Sequence, residues 1–373
     1  MSRKEKILKN IDVQSMKGIE IGALDRPIVN SSEATILFAD HASTEDLRKK
    51  YKDDNNVNLL EIVDVDIVLG DKNLAQSLGK QTEVDYVIAS HVIEHVPDII
   101  SWLQDISNIL RDDGILSLVI PDKRFTFDYF RENTTAGELI ESYLSKSTRP
   151  STKQVFDFFS TSIKLDTVQR WNGKLDEAQL TKLHSLSLAE KKSKDNLENE
   201  EYVDVHCTVY TPKSFFQLIE VLFELDLINF KVISFYDTSE NELEFFVSFQ
   251  KIPSNTNKEK ASFLKQQSIP KIQRDSLELV QQKRTQKLED TVNSLSQQNE
   301  KLLAATEKLL AIQESLSKKL AESSEEILLT SKRENEAREV LKIMHASTSW
   351  QMTAPIRFLK RFYISLTGRK NHN

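Results

Sequence analysis

The sequence predicts an α/β protein with seven strands, mostly parallel and with the last one antiparallel, interrupted by a helical insertion and followed by one long helix. Three observations carry that prediction. Short β-type runs alternate with amphipathic helical patterns from about Lys17 to Lys251, the signature of an open α/β sheet. Two final β-type runs are separated only by Asp237–Glu242, a hairpin length, so the last strand must turn back on its neighbour. Of the eight glycines only Gly368 lies beyond Gly173, and no proline falls between Pro270 and Pro355, so the last third lacks the punctuation of a multi-element domain.

The strands are expected at Gly18–Gly22, Ala34–Asp40, Leu59–Asp66, Val84–Ser90 and Gly114–Ile120, then at Phe230–Tyr236 and Leu243–Phe249. Between the fourth and fifth, Ile99, Ile100, Leu103, Ile106, Ile109 and Leu110 recur at helical spacing behind Pro97, which is placed in the first turn, where a missing N–H is harmless. Residues 123–204 hold helical and aromatic patches but no clear strand, too long for a connection, and read as an inserted helical cap. Thr211-Pro212 then opens a helix through Phe216, Leu218, Ile219 and Leu222.

Residues 1–252 therefore form the expected enzyme-sized domain, and 253–274, rich in Ser, Asn, Lys and Gln, a linker. Over 275–343 Leu288, Leu295, Leu302, Leu309 and Leu316 fall seven apart, with Val292, Asn299, Thr306, Gln313, Leu320 and Ile327 on the companion position. That pattern predicts a coiled coil, and a buried Asn299 favours a parallel dimer in register. A solitary solvated helix is the alternative. The tail, 344–373, carries Arg357, Lys360, Arg361, Arg369 and Lys370, no acid, and Trp350, Phe358, Leu359, Phe362 and Tyr363. Such a segment suits an anionic membrane surface or a partner's groove. Packing on the protein's own body is the competing reading.

Composition narrows the function classes. At 373 residues with a net charge of -7, the chain as a whole is no nucleic-acid binder. The single cysteine, Cys207, excludes a disulfide framework and a cysteine-cluster zinc site, and suits a reducing compartment. A charged N-terminus without an apolar core predicts a cytoplasmic protein, and the apolar run at Ile115–Ile120 is far below the roughly 20 residues of a spanning helix. Membrane contact is expected to be peripheral, at the inner face.

The chemistry-bearing residues cluster at predicted strand ends. Gly22, in the turn Glu20-Ile-Gly22-Ala23-Leu24, sits at the first strand-to-helix turn, where such sheets place a ligand crevice. Asp40, eighteen residues on, ends the second strand, the usual place of a carboxylate that grips ribose hydroxyls. Asp64 and Asp66 end the third. Ser90, His91, Ile93, Glu94 and His95 follow the fourth, Pro121-Asp122-Lys123-Arg124 follows the fifth, and His206 follows the cap. Histidine is the natural base near neutral pH, so His91, His95 and His206 are the candidate catalytic residues. Each could equally be a satisfied structural histidine.

The Ile93-Glu94-His95 string, the Asp112-Asp113-Gly114 turn and the closing hairpin together resemble the class I S-adenosylmethionine-dependent methyltransferases over about residues 15–252. The resemblance implies a Rossmann-like methyltransferase sheet and S-adenosylmethionine as cofactor. Glu20, Gly22 and Ala23 would belong to the first cofactor motif, Asp40 to the ribose contact, Asp64 or Asp66 to the adenine side, and Ser90 and His91 to the methionine part. Where the family usually has further glycine, this chain has Ala23-Leu24. Because a Glu-His pair at this bend is ordinary for the family, no metal is expected from His91, Glu94, His95 and His206.

The order of domain, coiled coil and basic aromatic tail also resembles the bacterial methyltransferases that terminate surface-polysaccharide (O-antigen) chains, and Ser347–Arg357 resembles C-terminal stretches of polysaccharide glycosyltransferases. The kinase domain common in terminators is missing, since neither its Gly-rich loop nor its His-Arg-Asp string occurs. The expected function is O-methylation of a sugar hydroxyl, with a glycan acceptor or glycosyltransferase complex as partner and a homodimer formed through the coiled coil. The alternatives are a non-catalytic scaffold for glycosyltransferases and a methyltransferase acting on a small metabolite or lipid.

Overall fold

The computed structural model describes all residues except 71–72, 79–82, 199–201, 273–275 and 368–373. Arg369 and Lys370 of the tail, and residues 273–275 at the junction of the expected linker and coiled coil, thus lie outside the described residues.

In chain order the first half contains α1 (Arg3–Ile7), β1 (Lys17–Ile21), β2 (Thr35–Asp40), α2 (Thr44–Lys50), β3 (Ile67–Val68), α3 (Leu74–Leu78), β4 (Val84–Ser90), α4 (Ile99–Ile109) and β5 (Leu110–Pro121). The cap comes next as α5 (Ala136–Ser145), α6 (Thr152–Thr161), α7 (Thr167–Trp171) and α8 (Leu186–Glu198). The sheet is completed by α9 (Pro212–Glu224), β6 (Phe230–Tyr236) and β7 (Glu244–Lys251), with α10 (Lys258–Ser268) beyond it.

One seven-stranded sheet runs in the order β3-β2-β1-β4-β5-β7-β6. The first five strands are mutually parallel, and β7 lies antiparallel between β5 and β6. Strand order reverses between β1 and β4, so the crevice of an open α/β sheet opens at the carboxyl ends of those two strands. The period of two is visible in the packing. On β4, Val87 and Ala89 enter one core layer with α4 and α9, while Tyr86 and Ile88 enter the layer beneath α1. On β5, Leu116, Leu118 and Ile120 alternate with Ile115 and Val119 in the same way. Both sheet faces are apolar, as parallel strands covered on both sides require.

The third strand and the place of Pro97 need correction. Residues 59–66 are turn and irregular chain, and the third strand is only Ile67–Val68, paired with Ala39 and Asp40. The apolar run Leu59–Val65 suggests a strand, but it packs one side only, burying Ile62 while Leu60, Glu61 and Asp64 are exposed. Asp64 and Asp66 consequently precede β3 instead of ending it. Pro97 lies outside the helix and not in its first turn, because Asp98 is the cap of α4, its carboxylate accepting the Ser101 N–H at 3.0 Å. Within residues 253–274, α10 is tied to the domain: Lys265 donates to Asp226 at 2.6 Å and Ser268 Oγ accepts the Val232 N–H at 3.0 Å.

The chain divides into two compact units, Met1–Thr285 and Gln286–Asn373. In the first, the opening turns of α11 (Ser276–Ala346) contribute Val280 against Phe125 and Trp171. In the second, α11 continues as a helix whose leucines are exposed, from Leu288 through Leu320, Ile327 and Leu341, and is followed by α12 (Thr348–Met352) and α13 (Ala354–Thr367). Among the described residues no helix is long and apolar enough to cross a membrane.

Candidate functional site

The crevice is built from the β1 end outward. Glu20, on β1, is buried and accepts backbone N–H groups from Ile28 at 2.8 and 3.0 Å and from Val29 at 3.2 Å, tying down the loop that begins at Gly22. Burial pushes its carboxyl up to about 7, against the lowering effect of those N–H donors. Glu20 therefore positions the loop. Gly22 takes φ +71°, and a side chain there would stand 2.8 Å from Val92 Cγ2, so only glycine keeps the backbone open at this turn. Ala23 is buried in the core layer beneath α1, and Leu24 takes φ +49°, a left-handed conformation at a position where the resemblance leads one to expect glycine.

Asp40 ends β2, its Oδ1 2.6 Å from His41 Nδ1 and accepting the His41 N–H at 2.7 Å. Its other oxygen has no hydrogen bond among the described residues. Asp64 is exposed, and Asp66 accepts the Phe38 N–H at 2.8 Å, both on the approach to β3. The structure thus keeps Gly22, Asp40 and Ser90 together at the carboxyl rim, with Asp66 beside Phe38, two residues before Asp40 on β2.

On the β4 side, His91 adopts φ +56° and donates its N–H to Val119 O at 3.0 Å. Its Nε2 is 2.8 Å from Glu244 Oε2, and Arg3 Nε donates to Glu244 Oε1 at 2.7 Å while its Nη2 donates to Ser90 Oγ at 2.8 Å. Burial alone would favour a neutral His91 ring, but the Glu244 hydrogen bond and the adjacent Glu94 carboxylate raise it to about 9. Glu244, despite burial, is held down to about 2 by His91 and Arg3. His91 is consequently an imidazolium at neutral pH, suited to hold negative charge and unsuited to accept a proton.

The cap brings the remaining histidines in. Tyr210 bridges to Asp122 beside β5, and Cys207 N–H donates to Glu94 O at 2.6 Å, which lays 205–208 against the Ile93–His95 turn. There the His95 and His206 rings meet edge to face, centroids 4.8 Å apart. His95 Nδ1 is 2.8 Å from Asp204 Oδ1, whose other oxygen accepts from Lys50 at 2.9 Å; His206 Nδ1 is 2.6 Å from Asp128 Oδ2, which also faces Arg131. By contrast Asp122 is fully buried and committed to Arg124 and to Thr238 Oγ1, so the turn after β5 offers its charges to the protein itself.

Glu244, Arg3, Asp128 and Asp204 complete this rim, and sequence reasoning missed all four. Arg3 and Glu244 give no signal, because these partners lie 241 residues apart. Asp204 stands in the string that contains His206, and the Asp-x-His spacing is the one available clue.

The described features of a sheet with its switch point between β1 and β4 find a match among known families: residues 11–217 match the family described as a methyltransferase domain. The chain belongs to that family. More than half of its length lies in the match, which spans β1 through the first turns of α9. No curated protein matches the chain. Among solved structures it is similar to the CurJ carbon methyltransferase, with 12% identity and a TM-score of 0.31 over 66% of this chain and 51% of that one, so it spans about half that protein's length. An S-adenosylmethionine-dependent methyltransferase from Methanosarcina mazei is 14% identical with a TM-score of 0.33, covering 66% of this chain and 98% of that one. A third, from Mesorhizobium loti, is 10% identical with a TM-score of 0.32, covering 64% and 93%. The matched residues thus hold the crevice from Gly22 to His206, while Arg3 and Glu244 join its rim from either side of the match.

Proposed function

We propose that the protein transfers the methyl group of S-adenosylmethionine to the hydroxyl oxygen of a sugar in a bacterial cell-surface polysaccharide. The observation that supports methyl transfer most is the crevice itself: within the methyltransferase domain, an open left-handed Gly22, a carboxylate at Asp40 with one unbonded oxygen, and Ser90 line the carboxyl ends of β1, β2 and β4. That set fits a ribose-bearing cofactor, with Asp40 holding the ribose hydroxyls and the Gly22 backbone approached closely by the rest. S-adenosylmethionine supplies a sulfonium methyl. The acceptor oxygen takes that methyl in line, so the chain's own task is to position the hydroxyl and take its proton. His91 is bound to Glu244 and keeps its proton; His95 and His206 leave Nε2 without a hydrogen bond among the described residues, and the acceptor's proton leaves at their end of the crevice.

The glycan assignment draws on the helices C-terminal to the domain. The exposed leucines of α11 pair two chains as a coiled coil, which sets a spacing, and α13 presents Phe358, Leu359, Phe362 and Tyr363 beside Arg357, Lys360 and Arg361 for an anionic membrane surface or a glycosyltransferase complex. The enzyme works in the cytoplasm at the inner face of the membrane. Incubation of the full chain with methyl-labelled S-adenosylmethionine and polysaccharide, lipid and small-metabolite fractions tests the reading. Label in the polysaccharide is expected; label only in another fraction transfers the assignment to that acceptor, and bound cofactor with no label anywhere leaves a scaffold.

A further inference from the structure

Glu94 is 1% exposed, and neither of its carboxylate oxygens has a hydrogen-bond partner among the described residues. Its ionic neighbour is the His91 imidazolium, whose Nδ1 is 3.4 Å from Oε1. A buried carboxylate without a donor is costly, and native proteins rarely keep one without a use. Beside it are His95 and His206. One oxygen of Glu94 and one nitrogen from each ring all lie within 4.8 Å of one another.

The two rings are prepared alike. Each has its Nδ1 against a carboxylate, Asp204 for His95 and Asp128 for His206, and each of those aspartates is itself held, by Lys50 and by Arg131. A carboxylate on one ring nitrogen fixes the tautomer and offers the other nitrogen as a ligand, which is the arrangement that surrounds metal-bound histidines. From the buried Glu94 carboxylate, which has no hydrogen bond among the described residues, and these two oriented rings, the geometry points to a site for a divalent first-row transition metal of the zinc class, with Glu94, His95 and His206 as its protein ligands.

Ligand atoms about 2.0–2.2 Å from one tetrahedral ion stand about 3.4 Å apart, so small side-chain rotations close the set. Three protein ligands leave a position open, the pattern of catalytic zinc sites and not of structural ones. The half-exposed edge of His95 gives the ion a way in. Resting on the methyltransferase reading above, the open position would take the acceptor's hydroxyl oxygen; with both rings then engaged as ligands, the hydroxyl proton, made more acidic by the ion, would leave to solvent at this end of the crevice.

The test is titration of the chelator-treated full chain with Co(II), followed by competition with Zn(II), in the absence of S-adenosylmethionine so that metal binding and methyl-donor binding are read separately. One equivalent of Co(II) per chain with visible ligand-field absorption is expected, displaced by one equivalent of Zn(II). Glu94→Gln and His206→Gln should abolish that absorption, Asp204→Asn should weaken affinity about 10–100-fold, and the exposed His345→Ala should change nothing. Circular dichroism identifies variants that keep the fold. No ligand-field band in folded wild-type protein, or an equal band in folded Glu94→Gln, overturns the site. A band without later cofactor binding keeps the metal and removes the acceptor role.

Discussion

His91 Nε2 and Glu244 Oε2 lie 2.8 Å apart, joining the end of β4 to the head of β7 at the sheet's carboxyl rim. Arg3 closes the same carboxylate from α1, so one acid anchors two cations from distant parts of the chain. Replacing Glu244 by Ala should lower unfolding stability by about 2 kcal/mol, the scale of a partly buried charged hydrogen bond lost from both donors. Arg3→Ala should cost under about 1 kcal/mol, because that side chain stays partly exposed and its ion pair is screened by solvent. Urea unfolding of both variants checks the order.

Glu20 makes stability depend on pH. Its folded carboxyl titrates at about 7 against the usual 4.5, so between those values the folded chain holds a proton that the unfolded chain has released. Stability falls as pH rises through that window and levels off above it. Glu20→Gln cannot titrate, so wild type relative to variant should look better at pH 5 than at pH 8, every tenfold difference in proton affinity being worth about 1.4 kcal/mol. Urea midpoints of both proteins at the two pH values give the comparison; an equal gap at both would exclude the raised carboxyl.

A methyl group on Gly18 would stand 2.0 Å from a Tyr86 ring atom, and that ring is fully buried. The close approach of β1 to β4 thus depends on glycine. Gly18→Ala should destabilise the domain by about 3 kcal/mol or more, at the upper end of overpacking costs. Adding Tyr86→Leu should recover part of the loss, and thermal melting of the single and double variants reads it.

The leucines of α11 predict self-association. Sedimentation of the full chain should give a dimer, and Leu302→Glu with Leu309→Glu should give a monomer, because two charges would enter the shared seam. Asn299→Val should raise dimer stability while loosening the choice of stoichiometry. A monomeric wild-type chain would leave α11 a solitary helix.

The parts of the fold governed by local periodicity were legible in the sequence. β4 follows its alternation, Thr211 caps α9 with Pro212 behind it, and the closing hairpin turns where Asp237–Glu242 marks it. The third strand was not, because an apolar run alone does not distinguish a strand from irregular chain that packs one side, and pairing with Ala39 and Asp40 selected only Ile67 and Val68. At the site, the order Gly22, Asp40, His91, His95 follows strand ends and could be read from sequence. What turns those residues into a site comes from far away: Glu244 beyond the cap, Arg3 before the sheet, Asp128 and Asp204 at the two borders of the insertion. Such pairings depend on topology, and no local pattern encodes them.

The most direct test of the central claim is calorimetric titration of the full chain with S-adenosylmethionine and with its demethylated product, beside Asp40→Ala. Saturable binding at one site per chain, lost or weakened at least about tenfold in the folded Asp40→Ala variant, is the predicted result. Folded wild-type protein that binds neither compound would contradict it.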